Sequence, residues 1–180
     1  MDFVKNIIWY YSAETRQGYL VGSISGIVLV TAAIILWMVA APSTILKGLA
    51  IMILLGGLIF LFGGYFAGRG AQKSKTEKVE QYNKYQKAFI NEEYDKVEKI
   101  HKQWMPIRVF WSLFLVVGIS LLLFTTSAFW VGIALGALIV GTLGHIEEVI
   151  SFQHNEKYRK EVTKEKSRLD QSTAFLNYKF

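Results

Sequence analysis

The chain contains no cysteine, only two prolines and, in its long apolar stretches, no charged residue. Without cysteine there is no disulfide framework, thiolate zinc site, iron–sulfur cluster or cysteine nucleophile. With so little proline, the broken helices that build midplane substrate sites in carriers are not expected. The apolar stretches also lack histidine, which argues against proton relays, ion-coupled transport and voltage sensing, all of which use ionisable residues inside the bilayer. A phosphate loop is missing too. The glycine-rich run Gly63-Gly64-Tyr65-Phe66-Ala67-Gly68-Arg69-Gly70 does not end in the required Gly-Lys-Ser/Thr. No serine has a partner base at a recognisable spacing, so an intramembrane hydrolase has no support.

What is present is apolar. Of 180 residues, 52% are hydrophobic and 19% charged, against roughly 45–50% and about 25% in an average soluble domain. Gln17 to Leu46 carries no charge, Gly48 to Gly68 carries none, and Val109 to Gly144 is a third such run, of 36 residues. A helix of ~20 residues crosses a ~30 Å hydrocarbon core, so the third run is too long to cross once and must fold back. Thr125-Thr126-Ser127 is the polar cluster near its middle, and Pro42-Ser43-Thr44 turns the first pair, with Ser and Thr suited to capping the helix that follows. The expected fold is an all-α integral membrane protein. Its four transmembrane helices form two hairpins, with helices extended into the cytoplasm. The expected segments are an interfacial N-terminal helix (1–16), a first membrane hairpin (17–68), a cytoplasmic helical hairpin (69–108), a second membrane hairpin (109–144) and a cytoplasmic helical tail (145–180).

Orientation follows from Lys and Arg. The N-terminal tail has Lys5 and Arg16, residues 69–108 carry ten basic residues and the tail from 157 carries seven, whereas the two short turns offer only Lys47. Positive-inside topology places both termini and the central segment in the cytoplasm, in a bacterial inner membrane. Trp9, Trp104 and Trp111 then sit near the inner boundary, and Trp37 and Trp130 near the outer one. The first span is too long for a signal h-region, and Asp2 and Glu14 flank Lys5. The formal charge of +6 is explained by topology and anionic lipid, so nucleic acid is not an expected partner.

The polar segments read as helices. Phe3, Ile7 and Tyr10 or Tyr11 share one side of residues 1–16, the pattern of an interfacial helix. Val79, Tyr82 and Phe89 form one stripe; Ile90, Tyr94, Val97, His101 and Trp104 form another. The phase slips between Phe89 and Ile90, and Asn91-Glu92-Glu93 resembles an N-cap with acids in the first turn. The spacing therefore predicts helices over 72–89 and 92–106, turning at Ile90-Asn91 and reaching ~25 Å below the membrane. Pro106 would mark a boundary or kink before the third span. After Gly144, the residues Ile150, His154, Tyr158 and Val162 predict a helix to about Asp170. The last ten residues are either an interface strip or a frayed end.

Small residues recur at close-packing spacing: Gly22 and Gly26, Gly57 and Gly64, Gly64 and Gly68, Gly132 and Gly136. Such pairs let helix backbones approach within one chain or between copies, and four spans alone bury little, so a homo-oligomer is expected.

One constellation has the ingredients of chemistry. If the second hairpin folds about Ser127, Arg108 lies level with Glu147 and His101 with His154. Glu98 and His101 form an E-x-x-H pair, and Glu147 is on the same helical face as His154. Glu98, His101, Glu147 and His154 are thus a candidate zinc or iron site beneath the inner leaflet. Against it, a full di-iron set needs two E-x-x-H motifs and only one is present. Two facing imidazoles also serve as a pH-sensitive contact, and Arg108 with Glu147 is most simply a boundary salt bridge.

The leading functional expectation is a non-catalytic membrane protein that binds a cytoplasmic or membrane partner, as an accessory, sensor, immunity or defence subunit. A homo-oligomeric pore lined by Gly, Ser and Thr faces is the alternative. A metal-dependent membrane enzyme using the His/Glu cluster is the third. No motif is specific enough to tie the chain to a family.

Overall fold

In the computed structural model, residues 3–42 and 44–177 are described, with side chains through Ser172; Met1, Asp2, Ser43 and the end of the tail lie outside. The described residues are helical throughout, apart from short connections, and contain no strand. Helix α1 spans Phe3–Arg16, a π-helical stretch Gln17–Ser23, α2 Ile24–Val39, α3 Ile45–Lys84, α4 Gln86–Phe124 and α5 Ala128–Asn177. Four of these rods are long and apolar enough to cross a membrane.

The first rod joins the N-terminal helix to the first apolar run. Phe3–Val39 runs without a break, because Arg16 and Ile24, which flank the π stretch, keep helical dihedrals. The wider π turns rotate the residues before Gln17 relative to those after it, and Phe3, Ile7, Tyr10 and Tyr11 all become buried. These side chains pack against α3 and α5, so they are not available to a lipid surface.

A correction concerns the turn between α3 and α4. It lies at Tyr85 (φ −140°, ψ 58°), not at Ile90-Asn91. Phe89 and Ile90 are both buried, and with Glu93 and Val97 they make one broad inner face of α4. The phase slip thus reflects a helix buried over a wide arc. Asn91 is exposed in mid-helix and caps nothing. The fold-back at Tyr85 brings Lys78 within 3.4 Å of Glu92 and 3.0 Å of Glu93.

Pro106 sits inside α4 without ending it. Proline removes one backbone donor, and packing on both sides can hold the helix through the gap; here Trp104 packs on Phe152 and Arg108 bonds Glu148. The tail helix continues past Asp170 to Asn177, although the side chains beyond Ser172 are outside the described set. Thr44 does not cap α3 with its side chain: its hydroxyl donates to Ala41 O at 2.9 Å.

The apolar half is a row, α2–α3–α5–α4. Among the described residues α2 touches α3 and not α4 or α5. Gly18 meets Gly68, Gly22 meets Gly64, and Gly26 meets Leu61, an antiparallel zipper in which a Cβ on Gly22 would stand 2.6 Å from Gly64 Cα. Gly57 faces Leu29 and Val30 in the same seam. On the other side of α3, Gly132 packs on Ile45 and Leu49, and Gly136 on Met52. Phe60 of α3 stacks on Trp111 of α4 at 5.4 Å over the buried Val140 of α5.

The charged half closes into a bundle. Its core is Phe3, Ile7, Tyr10 and Tyr11 from α1, Tyr82 from α3, Phe89, Ile90 and Val97 from α4, and Tyr158 and Val162 from α5. Tyr10 stacks on Tyr158 at 4.2 Å with an interplanar angle of 2°.

Candidate functional site

Inside the aromatic core sits a carboxylate. The Glu93 side chain is 1% exposed and meets groups from all four helices. Tyr11 Oη donates to Glu93 Oε1 at 2.8 Å, Tyr158 Oη approaches the same oxygen at 3.4 Å, and Lys78 Nζ lies 3.0 Å from Oε2. Lys96 Nζ lies 3.9 Å from Oε1 and donates to Tyr11 Oη at 2.7 Å. Burial and then the Glu93 charge push both the Tyr11 and Tyr158 phenols well above their ordinary range, so they remain donors. Burial lowers Lys96, with Glu93 opposing it. A buried charge held this way locks four helices in one register, because removing any partner leaves another group unpaired.

Where the charged half meets the apolar half lies a second polar layer. Glu148, with its side chain 1% exposed, receives Arg108 Nη2 at 2.8 Å and Nε at 3.1 Å, and His145 Nδ1 stands 3.4 Å from its other oxygen. Burial pushes the Glu148 carboxyl up, but bonds from Arg108 and His145 outweigh it and hold the group below its ordinary value. Ser112 Oγ completes the chain at 3.2 Å from His145 Nε2.

The boundary pair expected between Arg108 and Glu147 is therefore replaced by Arg108–Glu148. Matching residues by depth alone ignores rotation about the helix: successive residues point ~100° apart, so Glu148 faces α4 while Glu147 faces α1. Glu147 O accepts from Gln17 Nε2 at 3.0 Å, and a Cβ on Gly22 would lie 3.3 Å from Glu147 Oε1.

The four candidate metal ligands do not meet. Glu98 bonds Arg159 Nη1 at 2.7 Å, His101 Nδ1 lies 3.6 Å from Glu156, and His154 Nδ1 lies 3.5 Å from Glu14. His101 therefore pairs two residues further along α5 than its expected partner. The shared face of Glu147 and His154 is real, but it looks toward α1. Among the described residues no three His, Asp, Glu or Cys side chains gather as a metal-binding group.

Glu93, Lys78, Tyr11, Tyr158 and Gln17 were absent from the candidates, whereas His145 and Glu148 were legible as an i, i+3 carboxylate–imidazole pair. A signal existed for Glu93, a carboxylate four residues after Phe89 and four before Val97 on an apolar stripe. Glu148, Asn155, Val162 and Leu169 likewise recur every seven residues on α5, and Asn155 is 1% exposed.

Compared with protein-family models, curated proteins and solved structures, the chain matches none.

Proposed function

We propose that this is a non-catalytic, multi-pass protein of a bacterial inner membrane that works by presenting its charged bundle to a protein partner in the cytoplasm. The reading takes the four apolar rods as two membrane hairpins, with both termini inside as the basic residues direct. One observation carries it. The far end of the bundle has an open groove of about 730 Å³ between α1 and α5, lined by Asn6, Glu161, Lys164, Glu165, Arg168 and Gln171. Mixed charges in a recess on a rigid support suit recognition of a polar protein surface. Within the groove Arg168 pairs with Glu165 and Asn6 donates to Glu161, while the Lys164 and Arg168 side chains stay exposed.

The test is affinity capture of the tagged protein from its host membrane in mild detergent, alongside a Lys164→Glu/Arg168→Glu variant. The expected result is a stoichiometric partner that the variant loses while its helicity is unchanged. Capture of a homo-oligomer with no partner would overturn the reading.

A pore built from several copies is the second reading, favoured by the open row of spans, which leaves α2 and α4 at its edges. Conductance of the pure protein in liposomes tests it. Ser23 and Ser112 weigh against it, since both are half-buried and bonded within the chain.

A further inference from the structure

The junction of the two halves contains a small cavity of about 160 Å³ lined by Ala13, Arg16, Gln17, Leu20, Val21, Ile150 and His154. Three polar atoms around it are buried without a hydrogen-bond partner: Glu14 Oε1, Gln17 Oε1 and His154 Nδ1. Gln17 is only 5% exposed, and its amide nitrogen is fixed by Glu147 O and by Ser151 Oγ at 2.6 Å, which leaves its oxygen committed to the cavity side. Glu14 Oε1 and His154 Nδ1 face each other at 3.5 Å. Glu147, two turns of α5 nearer the membrane than His154, is a second carboxyl, and its charge acts on Glu14. The site opens at the π-helical stretch Gln17–Ser23, a geometry that recurs at functional positions.

We propose that the polar cluster at the edge of this pocket is a proton-binding site, in which Glu14, facing His154, takes up a proton and so controls how α1 docks on α5. Two carboxyl groups in a poorly hydrated place cannot both ionise cheaply, and the neutral acid is a donor suited to His154 Nδ1 or Gln17 Oε1. Burial, and then the Glu147 charge, raise the Glu14 carboxyl to about 7, and burial raises Glu147. Burial, then Arg16 and Lys157, lower His154, so carboxyl and imidazole both tend to be neutral. The remaining charged groups are engaged or turned outward. On α5, Glu148 is held by Arg108 and His145; on α3, Lys78 is held by Glu93, and Arg69 and Lys73 are exposed.

The sign follows from linkage. Glu14 binds its proton more tightly when α1 is docked, so its contribution is complete below its ordinary value of 4.5 and is lost as pH rises through about 7. His154 acts in the opposite sense: its contribution is complete above its ordinary 6.5 and is lost as pH falls below that toward its lowered value. A variant that removes only the Glu14 arm separates the two.

The deciding measurement is infrared difference spectroscopy of the full chain in nanodiscs between pH 5.5 and 8.5, comparing wild type with Glu14→Gln and Glu147→Gln. Glutamine mimics the protonated acid, and circular dichroism confirms that each variant is folded. The expected result is a protonated-carboxyl stretch in the wild type that titrates near pH 7 and disappears in Glu14→Gln. The proposal is overturned if no carboxyl titrates between pH 6 and 8. It is overturned equally if the band persists in Glu14→Gln, or if its midpoint moves when K⁺ replaces choline at constant ionic strength, since a metal cation would then be the occupant.

Discussion

In the apolar half, neighbouring helices touch backbone to backbone, Gly22 against Gly64 and Gly132 against Ile45. In the charged half they are spaced by rings, with Tyr10, Tyr82, Phe89 and Tyr158 filling the space between four axes. The same three long helices take part in both. On the proposed membrane reading, the solvent accounts for the difference. Lipid tails are as apolar as leucine, so spans gain little by burying large side chains and associate through close contact over small residues. In water, burial of large apolar rings drives closure, and the chain completes the bundle by adding α1 as a fourth wall. Ionic groups follow the same division: among the described residues the row holds only Lys47, at the start of α3 over the Trp37 ring, whereas the bundle holds Glu93 at its centre.

Five variants test this contrast. The largest effect is expected from Glu93→Ala, which strands Lys78 in the core and should cost the bundle ~3–5 kcal/mol in denaturant unfolding. The double variant Lys78→Met/Glu93→Leu removes both charges and should lose far less; if it is as damaged as the single variant, Glu93 does more than pair its neighbour. In the row, Gly132→Val forces a side chain into Ile45 O and should cost ~1–3 kcal/mol by steric trapping in bicelles, with the bundle's stability unaltered. Coupled loss of both halves would erase the distinction drawn between them. Tyr11→Phe deletes one bond to a buried carboxylate and should cost about 1.5 kcal/mol. Lys160→Ala removes an ion pair whose lysine side chain is 71% exposed; its effect should stay below ~0.5 kcal/mol and vanish in high salt.

The four long apolar helices were legible because charge exclusion over twenty or more residues has few other causes, and the stripe Phe3, Ile7, Tyr10, Tyr11 was legible because helical spacing repeats. Arg108 and Glu147 show what was not. Depth along a hairpin follows from counting residues, but the facing partner depends on rotation about the axis, and one residue changes it by ~100°. Tyr85 gave no warning either: it is neither Gly nor Pro, and an exposed one-residue break lacks a compositional mark. The π stretch was equally silent, since Gln17-Gly18-Tyr19-Leu20-Val21-Gly22-Ser23 reads as ordinary membrane helix. The polar cavity depended on that stretch, because only the rotated α1 turns Glu14 toward His154.

The unbroken first rod has a mechanical consequence. Phe3 to Val39 is 37 residues, ~55 Å at 1.5 Å per residue, and it contains no joint at which twist could dissipate. A torque applied to α1 at the foot of the bundle is therefore carried as a shaft carries it, through the π stretch and along the Gly22–Gly64 seam to the far end of α2. The π stretch sets the phase of that shaft. Restoring the ordinary pitch over Gln17–Ser23 at unchanged length would swing Phe3, Ile7 and Tyr10 out of the core by roughly 100°, whereas deleting one residue there as well would cancel that rotation.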